Sequence, residues 1–241
     1  MDNIDEWFVT RDSAEFRENA HEWRQCSSRS SRKRFTKVHG VRWTELLRLT
    51  YFDPIKFIVV DPMHCLFLGI ARWIVKRIWV DGGILNQQSL IKIQKKMDEF
   101  QVPSDFGRIP GKIHCGEGFS NFTADQWRLF FSIYATVSLW NHLSEHDRKI
   151  LHHFVRVCKI FVSRILEVDA VRESQWRLIE LIKLIEEHHG RDKITPNLHL
   201  SLHLNECTFD FGPLYAFWCF SFERMNGVLG KLSTFFNGFY S

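Results

Sequence analysis

The stretch from Phe57 to Val80, FIVVDPMHCLFLGIARWIVKRIWV, constrains the fold of this chain more than any other. Its opening residues, Phe57 to Val60, are a continuous aromatic and β-branched run without polar alternation. Such a run predicts a short strand buried on both faces. Pro62 lacks an N–H and fixes its own φ, so the strand has to stop at Asp61-Pro62, with the Asp61 carboxylate at its C-terminal tip. Beyond that point Phe67, Ile70, Ile74 and Ile78 recur at three or four positions, which predicts a helix from Met63 to Val80. Asp61, His64, Arg72, Lys76 and Arg77 interrupt the stretch. A membrane-spanning helix needs about 20 predominantly apolar residues. The sequence therefore reads as soluble, with no membrane partner.

Helical periodicity continues downstream. NQQSLIKIQKKMDEF reads as a helix ending before Pro103. TADQWRLFFSIYATVSLW opens on Thr123 with Gln126 three residues later, the pattern of a capping box. Ser144 is placed to cap the next helix, SEHDRKILHHFVRVCKIFVSRILEV, whose apolar stripe runs through Leu151, Phe154, Val155, Cys158, Phe161, Val162, Ile165 and Leu166. ESQWRLIELIKLIEEHHG follows, with Gly190 positioned to end it. Residues 120 to 190 thus form a helical block. After the break at Pro196 and the turn at Gly212-Pro213, an aromatic helix is expected from about Leu214 to Leu232. The chain holds only 13 Gly and 6 Pro in 241 residues, which argues against an all-β protein built from tight turns.

Aromatic residues make up 15% of the chain, mostly 22 Phe and 9 Trp, and that ring area has to be buried or face a partner. The six cysteines, Cys26, Cys65, Cys115, Cys158, Cys207 and Cys219, contain no C-x-x-C pair. In a chain of this length they read as reduced intracellular thiols. The acidic start MDNIDEWFVTRDSAEF is no secretory signal. A net charge of +4 permits a nucleic-acid partner without requiring one. The positive charge concentrates in RQCSSRSSRKRFTK, where Arg29, Arg32, Lys33, Arg34 and Lys37 lie among serines. This run reads as a solvated, flexible segment suited to phosphate contact or nuclear import.

Two carboxylates stand out. Asp61 ends the expected strand, and Glu223, followed by Arg224, falls among the rings of the last helix. A charge buried there is unfavourable unless it is paired or bound to metal. Rigidly placed oxygen ligands of this kind suit a divalent cation, Mg²⁺ or Mn²⁺, in phosphoryl transfer. The alternative is structural, with Asp61 capping the helix behind Pro62 and Glu223 paired with an arginine. His64 could orient Asp61. His199, His203 and Cys207 fall at i, i+4 and i+8, so one helical face could hold Zn²⁺, with Cys219 as a further ligand, although core packing is the favoured explanation. Neither a phosphate-binding G-x-x-x-x-G-K-[ST] loop nor a G-x-S-x-G elbow occurs.

The blocks HGVRWTELLRLTYFDPIKFIVVDPMHCLFLG, VPSDFGRIPGKI, GFSNFTADQW, TPNLHLSLHLNEC and DFGPLYAFWCFSFERMNGVLG, in this order, resemble the transposases of fungal CACTA-like and Kyakuja–Dileera–Zisupton (KDZ) DNA transposons. The resemblance covers roughly residues 35 to 235. It implies an RNase H-like core with an Asp/Asp/Glu triad, interrupted by a large helical insertion. Asp61 would be the second acid, heading the D-x-x-H motif Asp61-Pro62-Met63-His64. Glu223 would be the third, within FERMNG, with His64 and Arg224 in support. The resemblance implies DNA transposon ends as partner, two Mg²⁺ or Mn²⁺ ions as cofactors, a nuclear location, and cleavage and transfer of DNA strands. It leaves self-association open.

The first acid of the triad has no counterpart. No acid between Asp2 and Asp53 ends a strand-like run. The expected fold class is therefore mainly α with a small α/β remnant, a partial RNase H-like core. The expected layout is a flexible basic leader at 1–40, partial core at 41–80, helical insertion at 81–195, and a return to the core with the Glu223 helix at 196–241. A chain so built is incomplete and inactive alone, and then needs no cofactor. The competing readings are a DNA-binding or protein-interaction module without catalysis, or a decayed fragment with no activity.

Overall fold

The computed structural model describes residues 11–101, 112–113 and 118–237. Cys115, the first ten residues and most of the VPSDFGRIPGKI block lie outside them. The protein is mainly helical, and no strand occurs among the described residues. It divides into two compact units between Val59 and Val60.

In the first unit, the residues expected to form a flexible basic leader are ordered into two helices, α1 (Ser13–Gln25) and α2 (Arg29–His39). The serines that read as a linker act as caps. The Ser28 hydroxyl accepts the Ser31 N–H at 3.1 Å, and the Ser31 hydroxyl accepts the Ser28 N–H at 3.2 Å, closing a capping box. Asp12 caps α1 by accepting the Glu15 N–H at 2.8 Å. The helices are joined by Trp23, whose indole N–H reaches Thr36 Oγ1 at 2.9 Å and whose ring lies 4.9 Å from the Arg32 guanidinium. Gly40 ends α2 with φ +68, a conformation that L side chains rarely adopt. A small core of Ala20, Val41 and Leu47 is flanked by Phe16, Trp43 and Phe52.

The expected strand at Phe57–Val60 is absent. The Asp53 carboxylate accepts the N–H groups of Ile55 at 2.8 Å and Lys56 at 3.1 Å, folding the chain into a turn just before it. Phe57, Ile58 and Val59 are exposed, and among the described residues no neighbouring strand takes up their backbone groups. A β-branched run is only a preference for a pleated surface, and without a partner it forms no ladder.

The second unit opens with a nearly continuous helical run of π character, Met63–Ala71 and Trp73–Val80. At its end the Asp81 N–H bonds the Lys76 carbonyl five residues back. The expected helix is therefore present, with a wider coil than its periodicity suggested. Downstream the helix starts marked by caps hold, but the helix expected to run from Ser144 to Val168 ends at Phe161, leaving Ile165 exposed, and the next begins at Val168, before the expected Glu173. Asn86 caps α3 (Gln87–Asp98), and Thr123 and Gln126 form the expected capping box on α4 (Ala124–Leu129). A short π segment, Phe130–Tyr134, leads into α5 (Ala135–Leu139). Ser144 caps α6 (Glu145–Phe161), which packs along α7 (Val168–His189) as the longest helical hairpin. Gly190 ends α7 at φ +96.

Part of the aromatic content is packed here. Phe119, Phe122, Trp127, Phe130, Phe131 and Phe154 form a chain of ring contacts with centroids 4.7–6.3 Å apart, several of them edge to face. Buried Asp147 crosses this unit: it accepts from the Trp79 indole at 2.8 Å and the Ser144 hydroxyl at 2.6 Å, and meets His189 Nε2 at 2.9 Å. The chain then forms α8 (Pro196–Ser201), α9 (Leu204–Phe211), a 3-10 turn at Leu214–Ala216 and α10 (Phe220–Asn237). The expected Leu214–Leu232 helix thus begins only at Phe220. The N–H of Cys219, just before it, is bonded instead to the Asp61 carboxylate.

Candidate functional site

Asp61 ends no strand; it caps a helix. It precedes Pro62, the first helical residue, and its carboxylate accepts the Met63 N–H at 3.3 Å and the His64 N–H at 3.0 Å. Its own carbonyl accepts the Cys65 N–H at 2.9 Å. The structural alternative weighed from the sequence is thus present, yet it does not exhaust the residue. Asp61 also contacts His64 Nδ1 at 2.5 Å and accepts the Cys219 N–H at 2.8 Å across 158 positions of sequence. Burial works to raise the Asp61 carboxyl, but the bonds from His64, Cys219 and Met63 outweigh it and hold it below the usual aspartate value.

Glu223 arrives one turn into α10, its N–H bonded to the Cys219 carbonyl at 2.9 Å. Its Oε1 lies 3.9 Å from His64 Nε2. One imidazole therefore faces Asp61 with one nitrogen and Glu223 with the other, and the two acids paired from the sequence meet at the histidine of the D-x-x-H motif. The expected burial of Glu223 is not seen. Its side chain is 58% exposed, and α10 turns Phe222, Met225, Val228 and Leu229 to solvent as well. The ring count around Glu223 suggested a packed helix, but no other element covers this face among the described residues.

The sequence did not single out Cys219 as a partner of Asp61. Donor atoms of Asp61, His64 and Cys219 all lie within 4.8 Å of one another, the one such group of three found among the described residues. Burial, with the nearby charges of Asp61 and Glu223, pushes the Cys219 thiol up. Neighbouring Cys65 is buried and its thiol is pushed up to about 12, chiefly by burial. The His199, His203 and Cys207 set does not assemble. A break at Leu202 and His203 separates α8 from α9, so the three do not share one helical face. The two imidazoles meet edge to face at 5.3 Å, His203 Nδ1 contacts Glu206 at 3.1 Å, and Cys207 is buried.

Mg²⁺ prefers six hard oxygen ligands in near-octahedral geometry. The donors that converge here are one half-buried carboxylate, an imidazole and a thiol, with an exposed carboxylate beside them. No further acid joins the group among the described residues. This set does not fit an all-oxygen Mg²⁺ pair.

Arg224 points elsewhere. With Arg128, Arg164, Tyr215, Trp218 and Phe220 it lines a cleft of about 930 Å³ next to the start of α10. Arg128 is paired with Asp125 at 2.7 Å. Of the basic residues singled out in the leader, Arg29, Lys33, Arg34 and Lys37 are exposed on α2, while Arg32 lies over Trp23 and donates to the Arg24 carbonyl at 3.2 Å. Arg29, Lys33 and Lys37 follow one another at i, i+4 and i+8 and share a face.

Comparison with protein families, with curated proteins and with solved structures finds no match to this chain. No helix among the described residues is long and apolar enough to cross a membrane.

Proposed function

We propose that this chain is a transposase-derived DNA-binding protein of the KDZ or CACTA-like type, with Asp61, His64 and Glu223 at the former catalytic centre, and that it does not transfer DNA strands by itself. The observation that carries the reading is the convergence of the D-x-x-H aspartate and the FERMNG glutamate on the two nitrogens of His64. Nothing local requires segments so distant in sequence to meet at these residues. In this reading the helix behind Asp61 and α10 are the acid-bearing remnant of an RNase H-like core, and most of the helices between them are the insertion.

The same geometry argues against strand transfer by this chain. In-line displacement at a phosphodiester by two metals needs carboxylates on both ions. Among the described residues only Asp61 and Glu223 are brought together, and an imidazole lies between them. What remains is binding. The cleft lined by Arg128, Arg164 and Arg224 carries more positive than negative charge and presents the rings of Tyr215 and Trp218. Guanidinium groups grip phosphates, and aromatic faces stack on bases. The exposed α2 face of Arg29, Lys33 and Lys37 offers further phosphate contacts.

The test is DNA binding by the purified full chain over a series of salt concentrations. Affinity should fall with salt, and Arg164→Ala with Arg224→Ala should flatten that slope by about one to two units, since each lost phosphate contact removes roughly 0.9. Nicking of DNA in Mg²⁺ or Mn²⁺ should be absent. Salt-independent binding refutes the DNA reading. Cleavage abolished by both Asp61→Ala and Glu223→Ala refutes the loss of catalysis.

A further inference from the structure

Two helix starts face each other at the Asp61 site. Asp61 caps one and His64 lies in its first turn; Cys219 precedes the other and Glu223 lies in its first turn. The arrangement places an oxygen, a nitrogen and a sulfur donor within 4.8 Å of one another. It also leaves negative charge poorly compensated. Among the described residues the recorded ion-pair partner of both Asp61 and Glu223 is His64, with no lysine or arginine on either acid.

We propose that Asp61, His64 and Cys219 bind a Zn²⁺ ion, through the imidazole nitrogen that faces Asp61, with water as fourth ligand and Glu223 accepting from the other nitrogen of His64. The donor chemistry selects the metal. Zn²⁺ accepts thiolate, imidazole and carboxylate together in tetrahedral sites, whereas a thiol and an imidazole are poor ligands for Mg²⁺. The spacing agrees. Two ligands bound at about 2.1 Å to a tetrahedral ion lie about 3.4 Å apart. Asp61 Oδ2 and His64 Nδ1 are 2.5 Å apart without an ion and the three donors lie within 4.8 Å of one another, so small side-chain adjustments bring them to that separation. Asp61, held by the N–H groups of Met63, His64 and Cys219, positions both helix starts. A metal-bound thiol is deprotonated outright, so zinc would release the Cys219 proton to solvent and offset the two nearby carboxylates. The exposed sides of His64 and Glu223 give the ion a direct path in. This inference rests on the donor set alone and does not depend on the DNA-binding reading.

The experiment is zinc binding by the full chain after chelator treatment, measured by competition with a chromogenic chelator, with Co²⁺ as a spectroscopic probe. Stoichiometric Zn²⁺ uptake and a thiolate-to-Co²⁺ charge-transfer band are expected. Cys219→Ser should abolish the band, and His64→Ala should weaken zinc binding by more than about tenfold. His64 is exposed and Cys219 donates its backbone N–H whatever its side chain, so both variants should fold, which circular dichroism checks; Asp61 variants lose a cap and are the weaker test. Glu223→Gln should weaken binding less than either. The proposal is overturned if zinc is not taken up, if uptake survives both Cys219→Ser and His64→Ala, or if it is lost instead in a His199→Ala, His203→Ala double variant. Loss of DNA affinity with zinc binding intact would sink the proposed function and leave this one standing.

Discussion

Asp147 offers the sharpest test of how the second unit is held together. It is 3% exposed, and its carboxylate serves the Trp79 indole, the Ser144 hydroxyl and His189 at 2.6–2.9 Å. Replacing it by alanine leaves the indole N–H of fully buried Trp79 without an acceptor. An unsatisfied buried donor costs about 1–3 kcal/mol, and the lost contacts to Ser144 and to the largely buried His189 add roughly 1 kcal/mol more. Removing the desolvation of the carboxylate offsets part of this, so the expected loss is about 2–4 kcal/mol. For a unit of this size that corresponds to a fall in Tm of roughly 4–16 °C. Asp147→Asn keeps an oxygen for Trp79 and can accommodate Ser144 through its amide, so its loss should be about half as large. Urea denaturation followed by far-ultraviolet circular dichroism reads all of this. A loss for Asp147→Ala below about 0.5 kcal/mol, within the range of an ordinary surface change, would refute the reasoning. So would an Asn variant as unstable as the alanine variant, because the retained acceptor would then be irrelevant.

A Cβ on Gly69 would lie 2.4 Å from Asn197 Nδ2 and 2.9 Å from the His64 carbonyl oxygen. Gly69→Ala should therefore cost about 1–3 kcal/mol by denaturant unfolding, and adding Asn197→Ala should recover only part of it, because the backbone contact remains. Glu173 is bonded by Arg156 and Arg177, which hold its carboxyl at about 2 against an ordinary 4.5. A lowered carboxyl stabilises the fold above its unfolded value, so acid titration should show stability lost as pH falls from 4.5 towards about 2. Glu173→Gln should flatten that loss, and an unchanged profile would remove Glu173 from the account. In thiol labelling without denaturant, partly accessible Cys26 and Cys219 should react before buried Cys65 and Cys158, whose thiols burial pushes up. Early modification of Cys158 would contradict its packing between the hairpin helices.

Much of the helical block was legible because its signals act within a turn. Thr123 with Gln126, Ser144 and Gly190 work over one to four residues, and the apolar stripes of α6 and α7 need only the helical period. The leader was misread for the opposite reason. Its serines and basic residues look like a linker in isolation. The Ser28–Ser31 capping box is itself local; what the sequence does not display is that Trp23, on a different helix, bonds Thr36 and receives Arg32 on its ring.

The sequence by itself determined that this chain is mainly helical, where the capped helices of the central block start, and that Asp61, His64 and Glu223 are its unusual residues. Caps and periodicity are local physics, and the motif spacing that marks the acids is written in the order of residues. The tertiary structure decided that Phe57–Val60 is no strand, because a strand exists only when another chain segment takes up its hydrogen bonds. It placed Glu223 in solvent, because burial depends on what packs against α10 and not on how apolar α10 is. It also brought Cys219 to Asp61, turning two distant acids into a mixed oxygen, nitrogen and sulfur site that neither segment could show alone.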